Sequence, residues 1–376
     1  MHRPRVHARE RAHGFTLVEL LATIAVIFLV MGIAVVAYSA ATRSAQSAAE
    51  RSAVSGLKLA VEQFEREFGF LPPLIADDGG DPANPQPPLA AFNRGTDGRV
   101  IYVPRLLSPG VPGDAEVLRG KDEDRARYSE LSFAYYLIGG LSEEVDGVDG
   151  PGFVEVRPDG RFAPTQAYVD ADGNAVQASA RGPERFEPLF DLTRGGVELL
   201  VDPESDLDVP VVVQLRNSGG QAFRYYRWLP DTDDYATEVA ADPDMFTDED
   251  FGYGYLGDDS VTVSGLVAYF NVPSIVLDAI APIDTDGNRS ITAADTAADA
   301  YTLPLSLRNA RYAIVSPGPN QLFGDETPDE LAADDSLRRR YAERLGLSEA
   351  RLASDADARV EALVEARADN IVEVGS

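Results

Sequence analysis

The chain has 376 residues, with 62 Asp and Glu against 33 Lys and Arg, for a formal charge of −29. So acidic a surface excludes nucleic acid, whose phosphates need a basic face. There is no cysteine, and the three histidines, His2, His7 and His13, all precede residue 14. Ser-His-Asp and Cys-His catalysis, and His-ligated zinc or iron, therefore lack their residues beyond that point. Acidic side chains abound, but nothing singles out a glycosidase-type carboxylate pair. Lys58 and Lys121, the only lysines, sit in no phosphate-loop pattern.

A basic leader carries Arg3, Arg5, Arg9 and Arg11. Gly14-Phe15-Thr16-Leu17-Val18-Glu19-Leu20 follows and opens an apolar run to Tyr38. Glu19 is the only ionisable group in that run ahead of the tyrosine hydroxyl. A lone carboxylate in a membrane-length helix is expensive without a partner. The run reaches the ~20 residues that span a bilayer. Arginines ahead of it keep the N-terminus in the cytoplasm and send the rest across. An ordinary secretory signal is cut after its apolar region. Here the small-residue break, Gly14, lies before it, so cleavage there removes the charges and leaves the helix.

Gly14-Phe15-Thr16-Leu17-Val18-Glu19 resembles the class III signal of type IV pilins and type II secretion pseudopilins. The resemblance implies that a prepilin peptidase cuts after Gly14 and methylates the new N-terminal Phe15. It also implies that Glu19, fifth residue of the mature chain, meets the terminal amine of a neighbouring pilin or pseudopilin subunit during assembly. An ammonium and a carboxylate in lipid each lower the other's penalty. The partners so implied are the peptidase, other subunits of the filament and an inner-membrane assembly platform. Loss of the leader leaves the mature chain near −32.

The helix continues past the apolar run. Ala, Ser, Glu and Gln dominate from Ala40 to Glu50; then Val54, Leu57, Val61, Phe64 and Phe68 recur at three- and four-residue spacing. Gly69 and Pro72-Pro73 stop the pattern. A helix from Thr16 to Phe68 would be ~80 Å long. Its second half would pack the stripe on a globular domain. The segment Leu59 to Pro73 resembles the corresponding end of the pseudopilin helix.

Asp77-Asp78-Gly79-Gly80-Asp81-Pro82 through Pro88 reads as a loop. Ser132 to Ile138 reads as a buried helix or strand ended by Gly139-Gly140. Strands are expected over Phe153–Arg157, Ala167–Val169, Val209–Leu215, Phe223–Trp228, Val261–Phe270 and Tyr312–Val315. Gly219-Gly220 suggests a hairpin. The fold class expected is α+β: a long N-terminal helix, its first half transmembrane, packed on a mostly antiparallel sheet with large acidic loops and C-terminal helices. The divisions are a cytoplasmic leader (1–14), the transmembrane half of the helix (15–38), its soluble amphipathic half (39–70) and an extracytoplasmic globular domain (71–376).

One acidic loop resembles the calcium loop of EF-hand and dockerin modules. Asp284, Asp286 and Asn288 occupy its first, third and fifth positions, Ser290 the seventh and Asp295 the twelfth. Alternating oxygens on a tight loop are what a hard cation needs. Arg289 departs from the glycine usual at the sixth position, and Asp295 reaches less far than glutamate. The alternative is an ordinary Asp-Gly turn. Asp170-Ala171-Asp172-Gly173-Asn174 starts alike but has Arg181 at the twelfth position, and reads as a hairpin turn.

Tyr312 to Asn320, followed by Phe323-Gly324, is similar to the C-terminal loop of the major pseudopilin, where an acidic pair helps to bind calcium. Here the motif is interrupted. Thr327-Pro328-Asp329-Glu330 has the form of a capping box opening a helix through Arg344, and a second helix is expected from Asp355 to Arg367. Asp369-Asn370-Ile371-Val372 then resembles the delayed end of the motif, which makes Asp369 and Asn370 a second candidate calcium position. A rigid Pro-Gly-Pro turn explains the segment equally.

A mature chain of 362 residues is large for a major subunit, which favours a minor or specialised pseudopilin-like protein. The function expected is a non-enzymatic subunit of a type IV pilus or type II secretion pseudopilus, single-pass in the inner membrane with a periplasmic domain. The competing class is a membrane-tethered binding or hydrolase domain that borrows a pilin-like anchor. Apart from the calcium-loop resemblance, residues 76–310 carry no family resemblance.

Overall fold

The computed structural model describes residues 17–76, 88–93, 100–108, 128–139, 141–165, 167–169, 175–178, 182–193, 197–201, 213–228, 275–276, 307, 309–324, 326 and 328–375. The chain forms two compact units, residues 1–46 and 47–376, and the division falls inside the first helix.

That helix, α1, runs from Leu17 to Phe68; the expected start, Thr16, lies outside the described residues. In the first unit its side chains are exposed all round: Leu17, Leu21, Phe28, Val35 and Tyr38 all face outward. Among the described residues no helix is long and apolar enough to cross a membrane. The transmembrane half was expected over residues 15–38, of which Phe15, Thr16 and the side chains of Glu19 and Val36 lie outside the described residues.

In the second unit the predicted stripe is the buried face. Val54, Leu57, Val61 and Phe64 have no exposure, and Phe68 is half-buried. Gly69, with positive φ, donates its N–H to Glu65 O and ends the helix. The short strand β1 (Leu74–Ile75) follows. Strands β2 (Leu89–Asn93) and β3 (Val100–Pro104) pair antiparallel, and β4 (Leu106–Ser108) returns to β1. After β5 (Tyr128–Ser129), the short π-helical stretch α2 (Ala134–Ile138) is wholly buried. Gly139 caps it in the left-handed conformation; a Cβ there would lie 2.1 Å from Gly152 O.

β6 (Phe153–Val154) pairs with β9 (Arg185–Phe186), and β7 (Tyr168–Val169) with β8 (Ala175–Val176). The β7–β8 pairing is the hairpin expected around Asp170, although the turn itself lies outside the described residues. β10 (Val197–Val201) pairs with β11 (Val213–Asn217). The central sheet adds β12 (Arg224–Arg227), β13 (Tyr312–Ser316) and β14 (Ile371–Gly375), in the order β14-β13-β12-β5, all antiparallel. The core lies between α1, α2 and this sheet, with Phe64, Tyr136, Phe153, Tyr225 and Tyr312 at its centre.

Gly219-Gly220 makes the expected reversal: Asn217 N donates to Gln221 O, Phe223 N donates to Leu215 O, and Arg216 and Ala222 form an antiparallel bridge. The ladder partner of β11 is β10, and β12 continues into the central sheet. The single helix expected from Thr327 to Arg344 is two, α3 (Pro328–Ala333) and α4 (Asp335–Leu345). Asp334 adopts extended backbone between them, and its carboxylate accepts from Ser336 N and Leu337 N as an N-cap. The helix α5 (Glu349–Ser354), capped by Ser348, was not foreseen; α6 (Ala356–Ala368), capped by Asp355, matches the second expected helix. These four helices share a small core of Leu331, Leu337, Tyr341, Leu352, Ala362 and Leu363. The strand expected at Val261–Phe270 lies outside the described residues.

Candidate functional site

Two parts of the chain are candidates for a functional role: the start of α1, and the place where α1 meets the turn after β13. At the first, Gly14, Phe15 and Thr16 lie outside the described residues. Glu19 has its backbone in the first turn of α1, and its side chain is outside the description. Around it Leu17, Val18, Leu20 and Leu21 are all more than half exposed. A helix hydrophobic on every side needs an apolar surround, whether lipid or other helices.

At the second, β13 ends in Ser316, and Pro317-Gly318-Pro319-Asn320 forms a turn with a single 3-10 helical loop over Gly318–Asn320. Gln321 follows in the left-handed region at φ 62°, the sole non-glycine there among the described residues. The turn is tied to the C-terminal helices. Asn320 Nδ2 donates to Ala366 O at 2.9 Å, and Asn370 Nδ2 to Phe323 O at 2.8 Å. Phe323 in turn covers the Arg224 guanidinium, whose Cζ lies 3.7 Å from the ring centroid. Arg224 is also 3.3 Å from Glu130 Oε1, so the turn is clamped to β12.

Facing that turn is Glu50 of α1, with no exposed surface. Its Oε2 accepts from Ser316 Oγ at 3.0 Å, and its Oε1 from Gln321 Nε2 at 3.4 Å. Asn217 Nδ2 reaches Ser316 Oγ at 3.5 Å, while Asn217 Oδ1 accepts from Gly219 N and Gln221 N. Among the described residues Glu50 has no ion-pair partner. Burial pushes its carboxyl above the usual range, against the hydrogen bonds from Ser316, Gln321 and Asn217; Asp369 adds a repulsion.

This network was not foreseen from the sequence, though the signal was there. Glu50 lies four residues before Val54, so it continues the Val54-Leu57-Val61-Phe64 spacing by one more step. A carboxylate in register with a buried stripe is a buried carboxylate.

Of the candidate calcium residues the structure describes only Asp369 and Asn370. Asp284, Asp286, Asn288, Ser290 and Asp295 lie outside the described residues. Asp369 is exposed at the C-terminal end of α6. Asn370 commits its amide nitrogen to Phe323, and its Oδ1 is buried without a hydrogen-bond partner. Among the described residues no cluster of three or more His, Cys, Asp or Glu could hold a metal ion.

Residues 9–35 match the family model of the prokaryotic N-terminal methylation motif. The N-terminus is therefore a prepilin-type signal. It is of the kind carried by type IV pilin-like and pseudopilin precursors, which prepilin peptidase processes. No curated protein and no solved structure matches the chain.

Proposed function

We propose that this chain is a minor or specialised pseudopilin-like subunit of a type IV pilus or type II secretion pseudopilus. The observation that carries the reading is continuity. The methylation motif at residues 9–35 runs into one helix, Leu17–Phe68, whose second half is buried in a globular unit. That arrangement gives each subunit an apolar stave and a head.

In this reading residues 15–38 anchor the chain in the inner membrane before assembly. The uncharged run continues in sequence through Val36 and Ala37 to Tyr38, 19 residues from Leu20, within the ~17–25 that span a bilayer. The head is periplasmic and non-enzymatic, and its large acidic surface selects partners. Glu19 pairs with the Phe15 amine of the adjacent subunit, on an assembly platform in the same membrane. Calcium held by Asp284, Asp286, Asn288, Ser290 and Asp295 orders one acidic loop of the head, with Asp369 and Asn370 as the alternative position.

The test is the mature N-terminus in the native host. Intact-mass and N-terminal analysis should show a chain beginning at N-methylated Phe15. Gly14 replaced by a bulky residue should leave residues 1–14 attached, because the peptidase subsite admits only a small side chain. A wild-type chain that keeps its leader would refute the reading.

A further inference from the structure

We propose that Glu50 is a proton-linked latch, holding the turn 317–321, and with it the entry to the C-terminal helices, against α1. Glu50 has no exposed surface, and its polar partners are a hydroxyl, Ser316, and two side-chain amides, Gln321 and Asn217. An ionised carboxylate removed from water without a cation is costly, so packing favours the neutral acid.

Among the described residues, the groups that face it from each neighbouring element add no positive charge. From the end of β13 and its turn come Ser316 and Gln321, and from the β11 turn Asn217, all neutral. From the end of α6 comes Asp369, whose charge repels the ionised form. The next residue on α1, Arg51, points to solvent. The network nonetheless accepts either protonation state. Ser316 Oγ donates to Glu50 when it is ionised and can accept its proton when it is neutral.

The latch sits where it has leverage. Gln321 binds Glu50 and also donates to Gly318 O at 2.8 Å, so one side chain ties the helix to the turn. Two residues later Phe323-Gly324 leads into α3 and its partners. A buried acid of this kind is more protonated in the folded than in the unfolded chain. Its contribution to stability is complete below the unfolded pKa and fades as pH rises through the folded one. The turn should loosen in the same direction.

The experiment compares the full-length chain with Glu50→Gln, an isosteric neutral acid mimic, in detergent from pH 5 to pH 8. Asp146 is also buried and titrates over the same range, so the difference between the two proteins is the readout. Melting temperatures should agree near pH 5 and separate as pH rises, with Glu50→Gln the more stable. Hydrogen exchange at the Gln321 and Leu322 amides, corrected for intrinsic rates, should accelerate by about threefold or more in the wild type and not in the variant. Parallel melting profiles, or a variant less stable than wild type at pH 8, would overturn the proposal. Should Glu50→Gln fail to fold, Ser316→Ala removes the donor that supports the ionised form. The pH dependence should then steepen, and an unchanged profile would overturn the proposal as well.

Discussion

Gly318 lies so close to Asp369 that a Cβ on it would stand 2.0 Å from the Asp369 carbonyl oxygen, and its φ is +65°. Both features demand glycine at the crossing between the β13 turn and the end of α6. The contact sets where β14 begins, because Asp369 and Asn370 lead directly into it. Gly318→Ala should therefore cost ~2–3 kcal/mol, the range of strained or overpacked positions. Chemical denaturation of the full-length chain checks this. Gly346→Ala is the control: it too has positive φ, but its Cβ would meet nothing within 4 Å. Its loss should be the smaller, and equal losses would mean that the contact carries no weight.

Asp146 makes a pH prediction. It is fully buried, and its oxygens accept from Leu141 N at 3.2 Å and Val148 N at 3.1 Å. Burial pushes its carboxyl from 3.8 up to about 8, against those backbone donors. The folded chain thus holds a proton that the unfolded chain has lost, from about pH 4 to about pH 8. Stability from this group is complete at the acid end and declines towards pH 8. Asp146→Asn cannot titrate, so its melting temperature should fall less between pH 5 and pH 8, whatever its absolute value. An equal fall in both proteins would show that the backbone N–H groups keep Asp146 ionised.

How much of this was legible in the sequence depends on the length of the element. The stripe Val54-Leu57-Val61-Phe64 repeats often enough to fix the helix and its buried face, and Gly69 marks its end. Tyr312–Val315 and Phe223–Trp228 are legible as strands from their apolar and aromatic runs, and they supply the two inner strands of the central sheet. Pairs such as β6 with β9 have only two residues each, too few for a period, and their partners are set by tertiary packing. The helical pattern before Asp334 resumes after it, so the sequence reads as one helix; the two backbone bonds its carboxylate accepts make it a cap. Glu50 was missed because a carboxylate does not look like part of an apolar stripe. Its partners Ser316, Gln321 and Asn217 are 167 to 271 residues away, and no local pattern joins them.

Calcium gives a prediction that rests on the sequence alone. Crowded carboxylates repel, and a cation that binds the folded chain stabilises it by mass action. A weak site, with Kd of ~10⁻⁴ to 10⁻³ M, fits Arg289 at the usual glycine position. Millimolar calcium should raise the melting temperature of the wild-type chain relative to chelator, and Asp284→Ala with Asp286→Ala should abolish the rise. A rise that survives the double substitution would move the site elsewhere, with Asp369 and Asn370 next to be replaced. No rise in wild type would make both loops ordinary acidic turns.

In the proposed function α1 assembles with other subunits through Glu19. Its attraction to a neighbour's terminal amine is strong only in low dielectric, so removing it should spare insertion and abolish joining. The direct measurement is the amount of Glu19→Ala in sheared filament fractions, set against its amount in the membrane. A processed, membrane-inserted variant that is absent from filaments is the expected result. Incorporation at the wild-type level would contradict it.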